Sequence, residues 1–114
     1  MRILMIEDEY LVAEEIRFCL KRAGFAEIEH AATEHDALKC ISDAAWDAAV
    51  VDANLDGRRL DGIADALFDR GIPFVIVTGY GRSSLPERVA DITVIEKPFR
   101  PKALVDAVSS LLAK

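Results

Sequence analysis

Short runs of apolar and β-branched residues alternate with longer stretches of helical periodicity along the whole chain, and this alternation constrains the fold more than any other feature. RILMI at residues 2–6 is too short for a stable helix and runs straight into Glu7-Asp8-Glu9, so it reads as a buried strand. In EYLVAEEIRFCLKRAG, Val12, Ile16 and Cys19 or Leu20 recur at helical spacing. Acidic residues sit early there, Lys21 and Arg22 late, and Gly24 stands as a C-terminal stop. A short strand over 26–30 follows. Thr33 with Asp36 then resembles a capping box and opens a helix running through Leu38 and Ile41 to Ala44.

The second half repeats the pattern. Trp46–Val51 reads as a third strand, and Leu60, Ile63 and Leu67 mark a helix that stops near Gly71. IPFVIVT is a fourth strand, residues 79–91 are irregular with room for about two helical turns, and 92–95 form a short fifth strand. Pro98 breaks the chain before a last helix, with Pro101 suited to its first turn and Leu104, Val108 and Leu111 on one face. Buried strands separated by helices predict an α/β fold with a parallel sheet covered on both faces. Right-handed crossovers then bring the C-terminal ends of all strands to one edge. Pattern alone leaves the order Rossmann-like or flavodoxin-like. A chain of 114 residues fits one domain, 1–114, with one core.

Several function classes lose their physical basis. No G-x-G-x-x-G follows the first strand and no P-loop motif occurs, so no glycine-rich cradle exists for a dinucleotide or nucleotide phosphate. A net charge of -6, with no basic stretch longer than Arg58-Arg59, argues against direct contact with nucleic acid or an anionic membrane surface. The N-terminus lacks the apolar run of a signal peptide or membrane span, which makes the cytoplasm the expected location. Cys19 and Cys40 lie in helical segments without a His or Cys partner nearby and read as structural thiols.

The polar residues at the strand ends carry the chemistry. VVDANLDG at 50–57 ends an apolar strand in the carboxylate of Asp52. Glu7 and Asp8 end the first strand, Thr78 the fourth and Lys97 the fifth, so the fold gathers them at one edge. Three carboxylates without a counterion repel one another, and hard oxygen donors in such a group suit Mg²⁺. A lysine and a hydroxyl opposite them supply donors for phosphoryl oxygens. Asp52 would then be the nucleophile, with Lys97 and Thr78 holding the transferred group. Taken singly, each residue has an ordinary alternative as a helix cap, loop residue or solvated charge, and Asp8 could be the N-cap of the first helix.

Together, Glu7-Asp8 in IEDE, Asp52 in VVDANL, Thr78 in VTG and Lys97 in EKPF resemble the receiver domain of two-component response regulators over Met1 to Lys114. The resemblance implies a three-layer α/β/α sandwich, a flavodoxin-like (βα)5 sheet in strand order 2-1-3-4-5. It implies Mg²⁺ held by Asp8, Asp52 and the backbone carbonyl of Asn54, with Glu7 completing the acidic set, and a cis peptide between Lys97 and Pro98. It implies a phosphoryl group taken from a phosphohistidine on a sensor histidine kinase or histidine phosphotransfer protein, then lost by hydrolysis, whose rate Asn54 and Tyr80 would tune. Such a protein catalyses its own modification and is not a turnover enzyme. A homodimer through the fourth helix, fifth strand and fifth helix stays open.

The chain departs from the family pattern twice. Asp56-Gly57 stand where a proline is usual, and the glycine of the third helix, Gly62, comes late, implying a longer loop. Val94 occupies the usual Tyr or Phe position three residues before Lys97. The segment PFVIVTGYG resembles in part a subgroup with a Phe-x-x-Thr-Gly-x-Gly-Tyr-like stretch after the fourth strand, often stand-alone regulators working with HWE-type kinases; the expectation for this chain is that Tyr80, between Gly79 and Gly81, takes the switching role. The expectation is a single-domain regulator that signals through a protein partner. Two rivals remain: a Mg²⁺-dependent aspartyl phosphatase, since Asp52-x-Asn54 faintly resembles D-x-D, and a pseudo-receiver that docks without phosphorylation.

Overall fold

The computed structural model describes residues 1–55, 60–79 and 85–113. Five strands, β1 (Arg2–Ile6), β2 (Glu27–Ala31), β3 (Ala48–Asp52), β4 (Phe74–Thr78) and β5 (Val94–Glu96), form one sheet. All pairings are parallel and the order is β2-β1-β3-β4-β5, so β2 and β5 are the edges. This is the flavodoxin-like order, which settles the alternative that periodicity leaves open. The helices are α1 (Tyr10–Arg22), α2 (Glu34–Asp43), α3 (Asp61–Asp69) and α4 (Pro101–Leu112).

The two faces of the sheet bury two separate cores because strand side chains alternate. Leu4, Ile6, Ala49, Val51, Phe74 and Ile76 pack with Ala37 and Ile41 of α2 and Ile63 and Leu67 of α3. Ile3, Met5, Val50, Val75 and Val77 pack with Ala13, Ile16 and Leu20 of α1 and Leu104 and Val108 of α4. The result is the expected α/β/α sandwich. Strands β3 and β4 are buried at every residue, which is why they read as unbroken apolar runs.

Helix ends follow local chemistry. Gly24 and Gly71 adopt φ of 103° and 65°, left-handed positions where a Cβ is strained, and they end α1 and α3. Thr33 caps α2 by accepting a 3.1 Å bond from the Asp36 N–H. Thr33→Ala is expected to cost about 1 kcal/mol of unfolding free energy, measured by urea denaturation, with no effect at the sheet edge. The N-cap of α1 is Glu9, which makes no side-chain cap bond, so Asp8 is not the capping residue. Nor does the first turn of α1 hold an acidic residue, the helix starting at Tyr10 rather than Glu9.

Between β4 and β5 the sequence reads as irregular, and the described residues there form a 3-10 turn, Glu87–Val89. Pro86 has no N–H and disfavours helical geometry in Leu85, which leaves one tight turn before β5. Arg88 in that turn spans to α3, 2.9 Å from the Asp65 carboxylate, with its guanidinium 5.4 Å from the Phe68 ring centroid. The third strand begins at Ala48, not Trp46. The Trp46 indole donates to the Cys40 carbonyl at 2.8 Å and lies under the Arg2 guanidinium at 4.5 Å, which holds it in the approach to the strand. Both cysteines are free thiols. Among the described residues no helix is long and apolar enough to cross a membrane.

Candidate functional site

The parallel register assembles the site. Ile6 pairs with Val51, so the next step along both strands sets Glu7 beside Asp52. Asp52 pairs with Val77, which places Thr78 one step further along the same edge, and Thr78 pairs with Glu96, immediately before Lys97. The Lys97 N–H donates to the Thr78 carbonyl at 2.7 Å. The Lys97–Pro98 peptide is cis, as the resemblance implies.

Four expected residues meet directly. Glu7, Asp8 and Asp52 each offer a carboxylate oxygen within 4.8 Å of the others. Lys97 Nζ lies 3.0 Å from Glu7 Oε1 and 3.6 Å from Asp52 Oδ1. Asp52 and Glu7 are buried, whereas Asp8 is exposed. Thr78 is buried at the end of β4. Asn54 lies in the turn after β3; its backbone N–H donates to Asp52 Oδ1 at 3.1 Å and the residue is exposed. Tyr80, Asp56 and Gly57, on which the switch and loop expectations rest, lie outside the described residues.

The electrostatics follow from three carboxylates facing one ammonium. Burial first, and then the hydrogen bond and charge of Asp52, push Glu7 up to about 8 despite the opposing pull of Lys97. Burial alone would lower Lys97, but the Glu7 hydrogen bond and the charges of Asp52 and Glu7 outweigh it and raise the ammonium above its usual value. Glu7 therefore holds its proton more tightly than a free carboxyl, and a divalent cation bound there would favour the ionised form. Its donors are hard oxygens in one small volume, a set that fits Mg²⁺.

One contact has no counterpart in the expected set. His30, on β2, places Nε2 2.6 Å from the backbone carbonyl oxygen of Glu7. The only sequence signal for it is position: a polar residue near the C-terminal end of a short strand belongs to the same edge as the others.

The sequence pattern of the family described as response regulator receiver domain matches residues 3–109. The chain is 32% identical to the phyllosphere-induced regulator PhyR of Methylorubrum extorquens, over 96% of this chain and 43% of that protein. It is 27% identical to the regulatory protein VanR of Enterococcus faecium, over 99% of this chain and 50% of that protein. The chain therefore spans about half the length of these curated relatives. Among solved structures, SdrG of Sphingomonas melonis Fr1 aligns with a TM-score of 0.85 at 34% identity, covering 98% of this chain and 96% of that one. The BeF3-activated conformation of SdrG from Pseudomonas melonis Fr1 aligns with a TM-score of 0.83 at 35% identity, covering 97% and 95%.

Proposed function

Because the chain belongs to the response regulator receiver domain family, we propose that it is a phosphoacceptor of a two-component or phosphorelay system, modified on Asp52. The observation that carries this reading is the buried Asp52 carboxylate with Glu7 and Asp8 oxygens within 4.8 Å and the Lys97 ammonium 3.6 Å away. The likeness to SdrG, a protein with a BeF3-activated conformation, supports it.

An Asp52 oxygen attacks phosphorus in the phosphohistidine of a sensor kinase or phosphotransfer protein. The P–N bond breaks, its electron pair returns to the imidazole, and an acyl phosphate forms on Asp52. Asp8, Asp52 and the Asn54 carbonyl, with Glu7 behind them, would hold Mg²⁺, which would supply positive charge against the phosphoryl oxygens. Lys97 carries an ammonium with several donors; once Asp52 is phosphorylated, Nζ turns from that carboxylate to a phosphoryl oxygen. The Thr78 hydroxyl donates to another. Hydrolysis later returns Asp52 and inorganic phosphate, so the protein catalyses a change in itself and does not turn over a substrate pool. The neutral side chain of Asn54 cannot deliver the acid-base step an aspartyl phosphatase needs at that position.

The switch belongs to the subgroup with the Thr78-Gly79-Tyr80-Gly81 segment. Val94 is half-buried and packs against the α2/α3 core, and an aliphatic side chain there cannot swing as an aromatic does. Output then passes through a protein partner that reads the surface around β4 and β5, in the cytoplasm.

Intact-mass spectrometry after incubation with Mg²⁺ and acetyl phosphate tests the reading. One phosphoryl group should appear, with its loss on Mg²⁺ chelation before phosphodonor addition. No mass gain would leave a pseudo-receiver, and continuous release of phosphate from many donor molecules would leave a phosphatase.

A further inference from the structure

We infer that His30 is a positioning residue for the acidic pair: its imidazole pins the peptide that joins Glu7 to Asp8 and thereby sets the affinity for the divalent cation. The inference rests on the proposed function and adds a residue to it. His30 Nε2 is 2.6 Å from the Glu7 carbonyl oxygen, and since that oxygen can only accept, the imidazole donates an N–H from Nε2.

The backbone around Glu7 shows why this bond matters. The Glu7 N–H donates to the Ala31 carbonyl at 3.1 Å, continuing the β1–β2 ladder one residue past the end of β1. The ladder stops there, because β2 ends at Ala31. His30 substitutes a side-chain donor at that point, so β2 grips Glu7 by both its N–H and its C=O. That peptide plane decides where two side chains go: the Glu7 carboxylate inward to Lys97 and the Asp8 carboxylate outward to the shared oxygen cluster. On the helix side Glu9 makes no side-chain cap bond, and its backbone N–H reaches Glu7 Oε2 at 3.5 Å. Without His30 the peptide can rotate, and the two carboxylates must be reordered each time a cation binds. Partners of this kind, one shell behind the ligands, change metal affinity about 10–100-fold when removed.

The experiment titrates the full chain with Mg²⁺ alone, by calorimetry or by amide NMR shifts, and then follows phosphorylation by acetyl phosphate across Mg²⁺ concentrations. His30→Ala should weaken Mg²⁺ binding about tenfold while leaving the metal-free melting temperature within a few degrees. Phosphorylation should slow at low Mg²⁺ and return to the parent rate at saturating Mg²⁺. His30→Gln, whose amide can donate to the same carbonyl, should recover most of the affinity, and His30→Phe, which fills the space without a donor, should not. If His30→Ala fails to fold, the contrast between His30→Gln and His30→Phe decides the matter. A His30→Ala or His30→Phe protein that binds Mg²⁺ like the parent overturns the inference. A parent that binds no Mg²⁺ and gains no phosphoryl group overturns the proposed function instead.

Discussion

Asp52→Asn will gain no phosphoryl group from acetyl phosphate under conditions that modify the parent, and its metal-free form will be more stable than the parent. The first effect is the loss of the nucleophilic oxygen, since the amide of asparagine cannot form the acyl phosphate. The second follows from charge. Asp52 lies in a group of three carboxylates offset by one ammonium, and removing its charge relieves repulsion with Asp8, and with Glu7 once Glu7 ionises near pH 8. Its attraction to Lys97 at 3.6 Å is lost as well, which limits the gain. The expected net is on the order of 1–2 kcal/mol, read from urea denaturation in chelator. Saturating Mg²⁺ should narrow or reverse the difference, because the cation stabilises the parent more. An Asp52→Asn variant less stable than the parent in chelator would mean that the Lys97 pair, and not the repulsion, dominates the edge.

Metal-free stability will fall as pH rises from 4.5 to about 8. Glu7 has its folded pKa raised above the unfolded value, so the folded state holds the proton more tightly. Its contribution is therefore fully present below pH 4.5 and is lost as pH passes through 8. Within that window the single proton corresponds to a slope of at most about 1.4 kcal/mol per pH unit. Lys97, also raised, contributes stability that is lost only above its ordinary range, outside this window. Glu7→Gln stays neutral and should flatten the profile. Since a bound cation favours the ionised form, Mg²⁺ should raise the melting temperature more at pH 8 than at pH 5.5. Equal slopes for the parent and Glu7→Gln would remove the proton from Glu7.

The main features of the fold and edge are legible in sequence for one reason. The central strands of this parallel sheet are apolar runs, and the first polar residue after such a run marks the functional edge. Glu7, Asp52 and Thr78 stand at such transitions, Lys97 follows Glu96 one residue past β5, and the structure brings them to one side of the sheet. Details that depend on side-chain choice are not legible. Lys97 lies closer to Glu7 than to Asp52, and the protonation of Glu7 follows from burial that no motif encodes. His30 reads locally as an ordinary strand residue, because its partner is a carbonyl 23 positions away. The segment before β5 reads as irregular, and its described residues hold a 3-10 turn that follows Pro86.

The strand order has a consequence for how copies of this chain meet. The open margins of the sheet belong to β2, which turns Glu27 and Glu29 to solvent, and to β5, which is three residues long and ends in Glu96. A bordering strand that is brief or acidic makes a poor template for another backbone, since a second copy would bring like charge into the same ladder. Self-association by sheet extension is therefore disfavoured at both margins.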